Sequence, residues 1–404
     1  MTDLKITTVN QFDSEGVFPL RTIRVNDKSV PTPTAANLPA KHQGEDGDFH
    51  PDSRNVNELY KTASGSDLDK AMRDPNGGEL NKGLQSQYKK TNDDELNVVF
   101  IKYKESSRLA AEHAVYLSDV MSAYSDLIAV PTMPKLVENV DPDNGISDPH
   151  YKRFKKSVVT FLNQVDQRHN EKPVMGIIPR LGWEFIDDLL GIYEDYGILA
   201  YAFDFQLRKT TTGQQLAMIQ PLMQSIAARG IEENVLFYAL NPARGGRVGG
   251  VNAIPAADIA SFGLGFDIIG GRHESPNRPS EVYEQMEEES KTNFRLFDRE
   301  EWVYRDVPVS QLLEEFPEES GINPQRVVER VKRSPQNAKY RLQQLLNSEQ
   351  QALAAKDLRE ELETGEAYSE VRNKMGVTSR TESAYKSVRE GFDEERYQTG
   401  LGDF

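Results

Sequence analysis

Two aspartates stand where a reaction could be carried out. Asp204 closes the apolar run ILAYAFDFQ, and Asp267 sits inside GLGFDIIGGRHESPNR, where a hydrophobic run meets two glycines, Arg272, His273 and Arg278. Arg180, Gln206, Asn241 and Arg244 stand at the ends of similar runs, and Arg247 belongs to the glycine-rich loop ARGGRVGG. Two carboxylates among several cations and amides suit a reaction in which positive charge develops on a sugar, or one in which phosphates must be held. In glycosyl transfer a carboxylate traps an oxocarbenium-like sugar while a neighbouring acid manages protons. Arg272 and Arg278 would then hold the flanking phosphates. Backbone N–H groups and guanidinium forks in ARGGRVGG could cradle a phosphate. Its spacing is not GxxxxGK[ST], which excludes an ATP-binding P-loop as a strict match.

Each of these residues also has a plainer reading. Asp267 paired with Arg272 or Arg244 would be a salt bridge without chemistry. Asp204 at a strand end would cap the next helix. His273 would be a solvent-facing loop residue, and ARGGRVGG would only reverse the chain.

The chain has 404 residues, enough for one large α/β domain with extensions. There is no cysteine, which removes disulfides, thiolate nucleophiles and every Cys-based zinc site. The six histidines never fall at i, i+4 spacing, so no metal is expected. With 48 basic and 64 acidic residues the net charge is −16, which argues against broad, nonspecific adhesion to nucleic acid but not against a local basic groove. No run of about 18 apolar residues occurs, and MTDLKITTVNQF does not read as a secretory signal. A cytoplasmic protein without a membrane partner is the expectation.

Three regions separate. Residues 1–95 open with two strands, LKITTVNQF and FPLRTIRV, followed by a long polar stretch, residues 36–94, that reads as a lid, an arm or a partly disordered insertion. Residues 96–280 alternate continuous Val, Ile and Phe runs with segments of helical period. The strand candidates are NVVFIKY, DLIAVPTM, PVMGIIP, ILAYAFDFQ, NVLFYALNP and LGFDIIGG. Adding the two earlier strands gives eight, which predicts an α/β fold, a (β/α)8 TIM-like barrel; a doubly wound sheet is the alternative, without a GxGxxG to support it. Residues 281–404 are helical and charged, with Ser334 and Pro335 as a helix start, Gly365 as its stop, and Leu342, Leu345, Leu346, Leu353 and Leu362 as one apolar stripe. This predicts a helical appendage packed on the barrel, with a homo-oligomer contact as one further use.

From Pro173 to Arg278 the order of elements resembles the tRNA-guanine transglycosylase superfamily, which includes DNA-acting enzymes that insert 7-deazaguanine bases. PVMGIIPRLGWEFIDDLLGIYEDYGILAYAF is similar to that family's run from FGIVQGG to GYAIGG, and LFYALNP followed by AADIASFGLGFDII is similar to its YLMGVG, helix and GVDMFDCV. SDLIAVPTM and NDKSVPTPT stand where the family has an early strand and its N-terminal strand turn. The resemblance implies that Asp267 attacks the anomeric carbon if one residue is deleted before it; without the gap, Gly270 takes the nucleophile's place. The departures are Pro179 for the Gln of GIVQGG, Asp204 and Phe205 for a Gly pair, Thr132 near the acidic base reader, and no CxCxxC zinc site. No DSGGF-like segment is present; DPNGG at Asp74 is a weak echo.

The leading expectation is therefore base exchange on a nucleic acid, DNA or tRNA, with guanine replaced by a 7-deazaguanine-type base. Asp267 and Asp204 would be catalytic, while Arg180, Gln206, Asn241, Arg244, Arg247, Arg272, His273 and Arg278 bind substrate, with no cofactor. Two other classes stay open: a catalytically silent barrel that binds nucleic acid or assembles with partners, and a barrel enzyme for a phosphorylated small molecule. Asp267 and Asp204 facing one cavity with a basic rim would favour the first. Asp267 buried in a salt bridge, with the mouth plugged, would favour the silent barrel.

Overall fold

Unbroken Val, Ile and Phe runs suit strands covered on both faces, and all six runs named above supply strands to one parallel sheet. The computed structural model describes residues 4–10, 16–168, 172–246, 253–273, 293–365 and 367–401. Strands β1 (Leu4–Asn10), β2 (Leu20–Val25) and β3 (Lys28–Thr32) form an antiparallel sheet of their own. The barrel is built from β4 (Thr34–Asn37), β5 (Val56–Ala63), β6 (Leu96–Tyr103), β7 (Leu127–Ala129), β8 (Val174–Ile178), β9 (Ala200–Asp204) and β10 (Leu236–Leu240). After β11 (Ala253–Pro255) leaves for a side sheet, β12 (Ile268–Ile269) completes the barrel between β10 and β4. Every neighbouring pair is parallel, and β9 pairs with β10 to close the circle. The side sheet joins β11 to the hairpin of β13 (Asn293–Asp298) and β14 (Val303–Pro308).

The barrel is the expected one, but its first two strands are not LKITTVNQF and FPLRTIRV. β2 alternates buried and accessible residues, as a strand with one covered face does, and it lies across the N-terminal end of the barrel. The barrel strand β5 comes from the stretch expected to be a lid or arm, and β4 runs into its start. That stretch also folds α1 (Gly65–Arg73) and α2 (Gly78–Tyr88), the first begun by a capping box between Ser64 and Asp67. The barrel thus starts at residue 34, not 96.

The helices α3 (Ala111–Tyr124), α4 (Pro134–Val137), α5 (Pro149–Gln167), α6 (Trp183–Asp195) and α7 (Gly213–Ala228) follow their strands. Just beyond α6, Gly197 takes a φ of 65°, the left-handed conformation that favours glycine at such an exit. No α-helix lies between β4 and β5. After α8 (Pro324–Arg333), the long α9 (Pro335–Thr364) packs on β4 instead and ends at Gly365 with φ 79°. Its leucine stripe is buried as expected, yet Gln343, Gln344, Asn347, Ser348, Glu349, Gln350 and Gln351 are buried too. These polar groups serve surrounding backbone: Asn347 bonds Phe297 N and Arg295 O at 2.9 and 3.1 Å, and Glu349 accepts from His50 N and Gly321 N at 2.8 and 3.0 Å. α9 is thus the expected helical region packed on the barrel, and it covers β4. Beyond α10 (Ala367–Asn373), the last helix, α11 (Ser379–Leu401), lies along α7. Among the described residues no helix is long and apolar enough to cross a membrane.

Candidate active site at the barrel mouth

At the C-terminal ends of the strands, where barrels present their chemistry, a carboxylate is held inside the barrel by groups that carry protons. Glu58, from β5, is fully buried. It accepts the Tyr238 hydroxyl on one oxygen, and on the other the Gly271 N–H at 3.1 Å together with His273 Nε2. Burial first, then the adjacent Glu58 carboxylate, push the Tyr238 phenol well above its ordinary pKa, so Tyr238 remains a donor. A side chain at position 270 would collide with this arrangement, because a Cβ there would lie 2.2 Å from Glu58 Oε2 and 2.6 Å from the Tyr238 ring. The His273 ring is stacked on Tyr60 with centroids 4.0 Å apart and planes inclined by 3°.

The second carboxylate, Asp204, is tied into the same network. Its Oδ1 accepts from Gln206 N at 3.1 Å and Asn241 Nδ2 at 3.2 Å, and Asn241 Oδ1 accepts the His273 backbone N–H at 3.1 Å. The strand ends here are strained: Gln206, Leu207 and Asn241 have φ of 48°, 60° and 52°, a region costly for residues with a Cβ. The turn is locked by Leu207 N donating to Asn241 O at 2.9 Å. Strain of this kind, about 1–3 kcal/mol per residue, persists where surrounding structure imposes it, and it gathers at functional sites.

Beside the network opens a cleft of about 910 Å³ between the ends of β6, β8 and β9 and the segment around α4. Its lining includes Lys102, Lys104, Lys135, Arg180 and Arg208 against one acid, Glu138. Among the described residues no carboxylate pairs with Lys104, Lys135, Arg180 or Arg208. Arg180 is pulled below its ordinary pKa by burial and then by Arg208, and its Nε is buried without a hydrogen-bond partner. In a chain of net charge −16, so concentrated a set of cations gives the cleft a local positive potential.

Asp267 lies at the opposite end. It precedes β12, and its carboxylate takes Arg21 Nη1 at 2.9 Å, Phe237 N at 2.8 Å and Thr32 Oγ1 at 3.2 Å with no exposure to solvent. Arg21 also donates to the carbonyls of Val235 and Glu232, both at 2.8 Å, so the β1–β3 sheet is pinned under the barrel. Asp267 and Asp204 therefore share no cavity, and the salt-bridge partner is Arg21 rather than Arg272 or Arg244. The strand-end reading misplaced Asp267 because β12 is only Ile268–Ile269, leaving the aspartate ahead of the strand instead of at its exit.

Arg180 and Gln206 line the cleft, while Asp204, Asn241 and His273 form the network. His273 does not face solvent: its side chain is 4% exposed. Arg244 and Arg272 come together in a smaller pocket on the other side of the mouth. Arg247 and Arg278 lie outside the described residues. Glu58, Tyr60 and Tyr238 were not anticipated; the available signal was a glutamate and a tyrosine two apart, on one pleat face of VNELYKTA. Among the described residues no group of three or more His, Asp or Glu is placed to hold a metal ion. No family model matches the chain, and comparison with curated proteins finds no match.

Proposed function

We propose that the barrel mouth is an active site for pentosyl transfer on a phosphate-bearing nucleotide unit, in which one base is released and another is taken up. The observation that carries this reading is buried Glu58 holding His273 in a network that reaches the cation-lined cleft through Asn241, Asp204 and Gln206. A carboxylate that engages one imidazole nitrogen orients the ring and fixes which nitrogen faces it. With Nε2 on Glu58, Nδ1 is the nitrogen that serves the substrate. As the sugar–base bond breaks, His273 gives its proton to the departing base and the electron pair leaves with that base. Asp204 supports the positive charge that develops on the sugar. The incoming base then forms the new bond to the sugar and returns a proton to His273. The cleft cations hold the phosphate.

The resemblance to the transglycosylase superfamily supports this reading, with DNA or tRNA as the substrate and a 7-deazaguanine-type base as the incoming group. Asp204 and Glu58 belong to the mouth network, and Asp267 does not. The size of the cleft favours a second reading, a phosphorylated small molecule, because about 300–1,000 Å³ is the usual range for such ligands.

The test is incubation of the protein with labelled guanine or 7-deazaguanine and, separately, tRNA, duplex DNA and nucleoside monophosphates. Label incorporation that is lost in His273→Asn and Asp204→Asn, and kept per folded molecule in Asp267→Asn, is the expected result. Equal incorporation by the mouth variants and wild type, or none on any substrate, overturns the proposal.

A further inference from the structure

Across the mouth from the cleft, where β4, β10 and β12 meet α9, lies a second cavity of about 30 Å³. Two guanidinium groups from separate loops reach it, Arg244 after β10 and Arg272 after β12. Arg244 lies over the Tyr304 ring at 4.7 Å, and the Tyr304 hydroxyl donates to Asp258, the one carboxylate in the lining. Burial raises the Asp258 pKa towards the neutral acid, and no salt bridge joins Asp258, or any other described carboxylate, to Arg244 or Arg272. Asp258 is one carboxylate against two guanidinium groups, so the pocket keeps an excess of positive charge.

Two buried atoms in this lining also lack partners, the donor Arg272 Nε and the acceptor Gln344 Oε1. The amide orientation of Gln344 is fixed, since its Nε2 donates to the Arg272 carbonyl. An occupant must therefore accept from guanidinium groups and also donate to an amide oxygen. On this measure one water needs roughly 10–15 Å³. The cavity has room for two to three such positions, so a phosphate enters it with two or three of its four oxygens and keeps the rest outside.

We propose that Arg244, Arg272 and Gln344 form a second anion site, selective for a phosphate that retains one P–OH. The guanidinium groups hold the anionic oxygens, and the P–OH donates to Gln344 Oε1. Sulfate, which carries no proton near neutral pH, leaves that acceptor unpaired and is disfavoured, and so is a carboxylate. The site stands on its own geometry and does not require the pentosyl-transfer reading.

The cleft also attracts anions, so the experiment uses the full chain carrying Arg180→Gln and Arg208→Gln. Calorimetric titration at pH 7.5 compares inorganic phosphate, sulfate and acetate. The expected result is one equivalent of phosphate bound at least about tenfold more tightly than sulfate or acetate, a gap of about 1.4 kcal/mol. Arg272→Gln abolishes that binding, and Gln344→Leu erases the preference for phosphate over sulfate. If Arg272→Gln fails to fold, Arg244→Gln takes its place, and phosphate must move the Arg272 ¹⁵Nε resonance in the otherwise unaltered background. No phosphate binding in that background, equal affinity for sulfate, or a still resonance overturns the proposal.

Discussion

Asp267 and Glu58 are both fully buried carboxylates of one barrel, yet the two ends of the barrel treat them differently. At the floor, Asp267 is surrounded by a permanent cation, a backbone N–H and a threonine hydroxyl, and the β1–β3 sheet covers it. At the mouth, Glu58 is bonded to a phenol, a backbone N–H and an imidazole, and the network reaches a 910 Å³ cleft through Asn241, Asp204 and Gln206. The Arg21 guanidinium is a hydrogen-bond donor only, whereas the His273 imidazole carries one nitrogen that can donate and one that can accept. Burial alone does not mark a catalytic carboxylate. What distinguishes the two is the kind of partner each has and whether its hydrogen-bond network extends to a cleft.

The contrast is tested most strongly at His273. Replacing a proton carrier removes about 10²- to 10⁴-fold of rate, so His273→Asn should lower turnover by that factor, and Glu58→Gln by a similar one, with KM little changed. Steady-state kinetics check this, and unchanged turnover in both variants would erase the distinction between the ends. At the floor the effect should fall on stability instead. Asp267→Ala leaves the Arg21 guanidinium buried without its partner, which costs about 3–5 kcal/mol in comparable pairs. Urea unfolding should show that loss, with activity per folded molecule intact. Because Arg21→Ala removes the same interaction, the double variant should lose less than the sum of the two single losses.

The difference between the ends was only half legible in the sequence. Asp204, Asn241 and Arg180 stand out because they close continuous apolar runs, and such runs are what a parallel barrel strand requires. β4 is four residues, TAAN, too short to carry a period. β5 hides its role because Asn57 and Glu58 are polar positions whose partners lie far along the chain: Asn57 pairs with Glu95 and Asn97, and Glu58 with Tyr238, 180 residues away. A glutamate that appears solvated in one dimension is enclosed in three. β12 fails for the opposite reason: its apolar neighbourhood, GLGFDIIGG, reads as a longer strand than the two residues that pair, which moves Asp267 from floor to mouth on paper. The cleft lysines and arginines come from the end of β6 and the residue after it, from α4, and from the segments after β8 and β9, and make no local motif.

Those cations give a smaller test. Arg180→Gln and Arg208→Gln should each weaken phosphate binding in the cleft about tenfold, the scale of one charge-assisted contact. They should also flatten its dependence on salt, while Asp267→Asn changes neither. Calorimetry at two salt concentrations separates these outcomes, and equal binding by all three variants would move the anion site away from the cleft.

Lys339, on the α9 wall, sharpens the contrast from a third position. It is a buried cation, and its environment pulls its pKa down from 10.5 to about 8, chiefly by burial, with Asp306 acting against that and Arg295 adding to it. The unfolded chain keeps this proton up to its ordinary value, while the folded chain releases it near 8, so between those values the unfolded state binds more protons. Stability must therefore rise as pH climbs from about 8 to 10.5, and below that window the charged form is a constant penalty. Lys339→Met removes both the slope and the penalty. Below pH 8 the variant should be more stable by about 1–2 kcal/mol, the full linkage value reduced for the solvent that reaches the ammonium. Urea unfolding at pH 7 and pH 10 reads both quantities. Parallel curves for wild type and variant would mean that the α9 wall holds the Lys339 charge without a penalty.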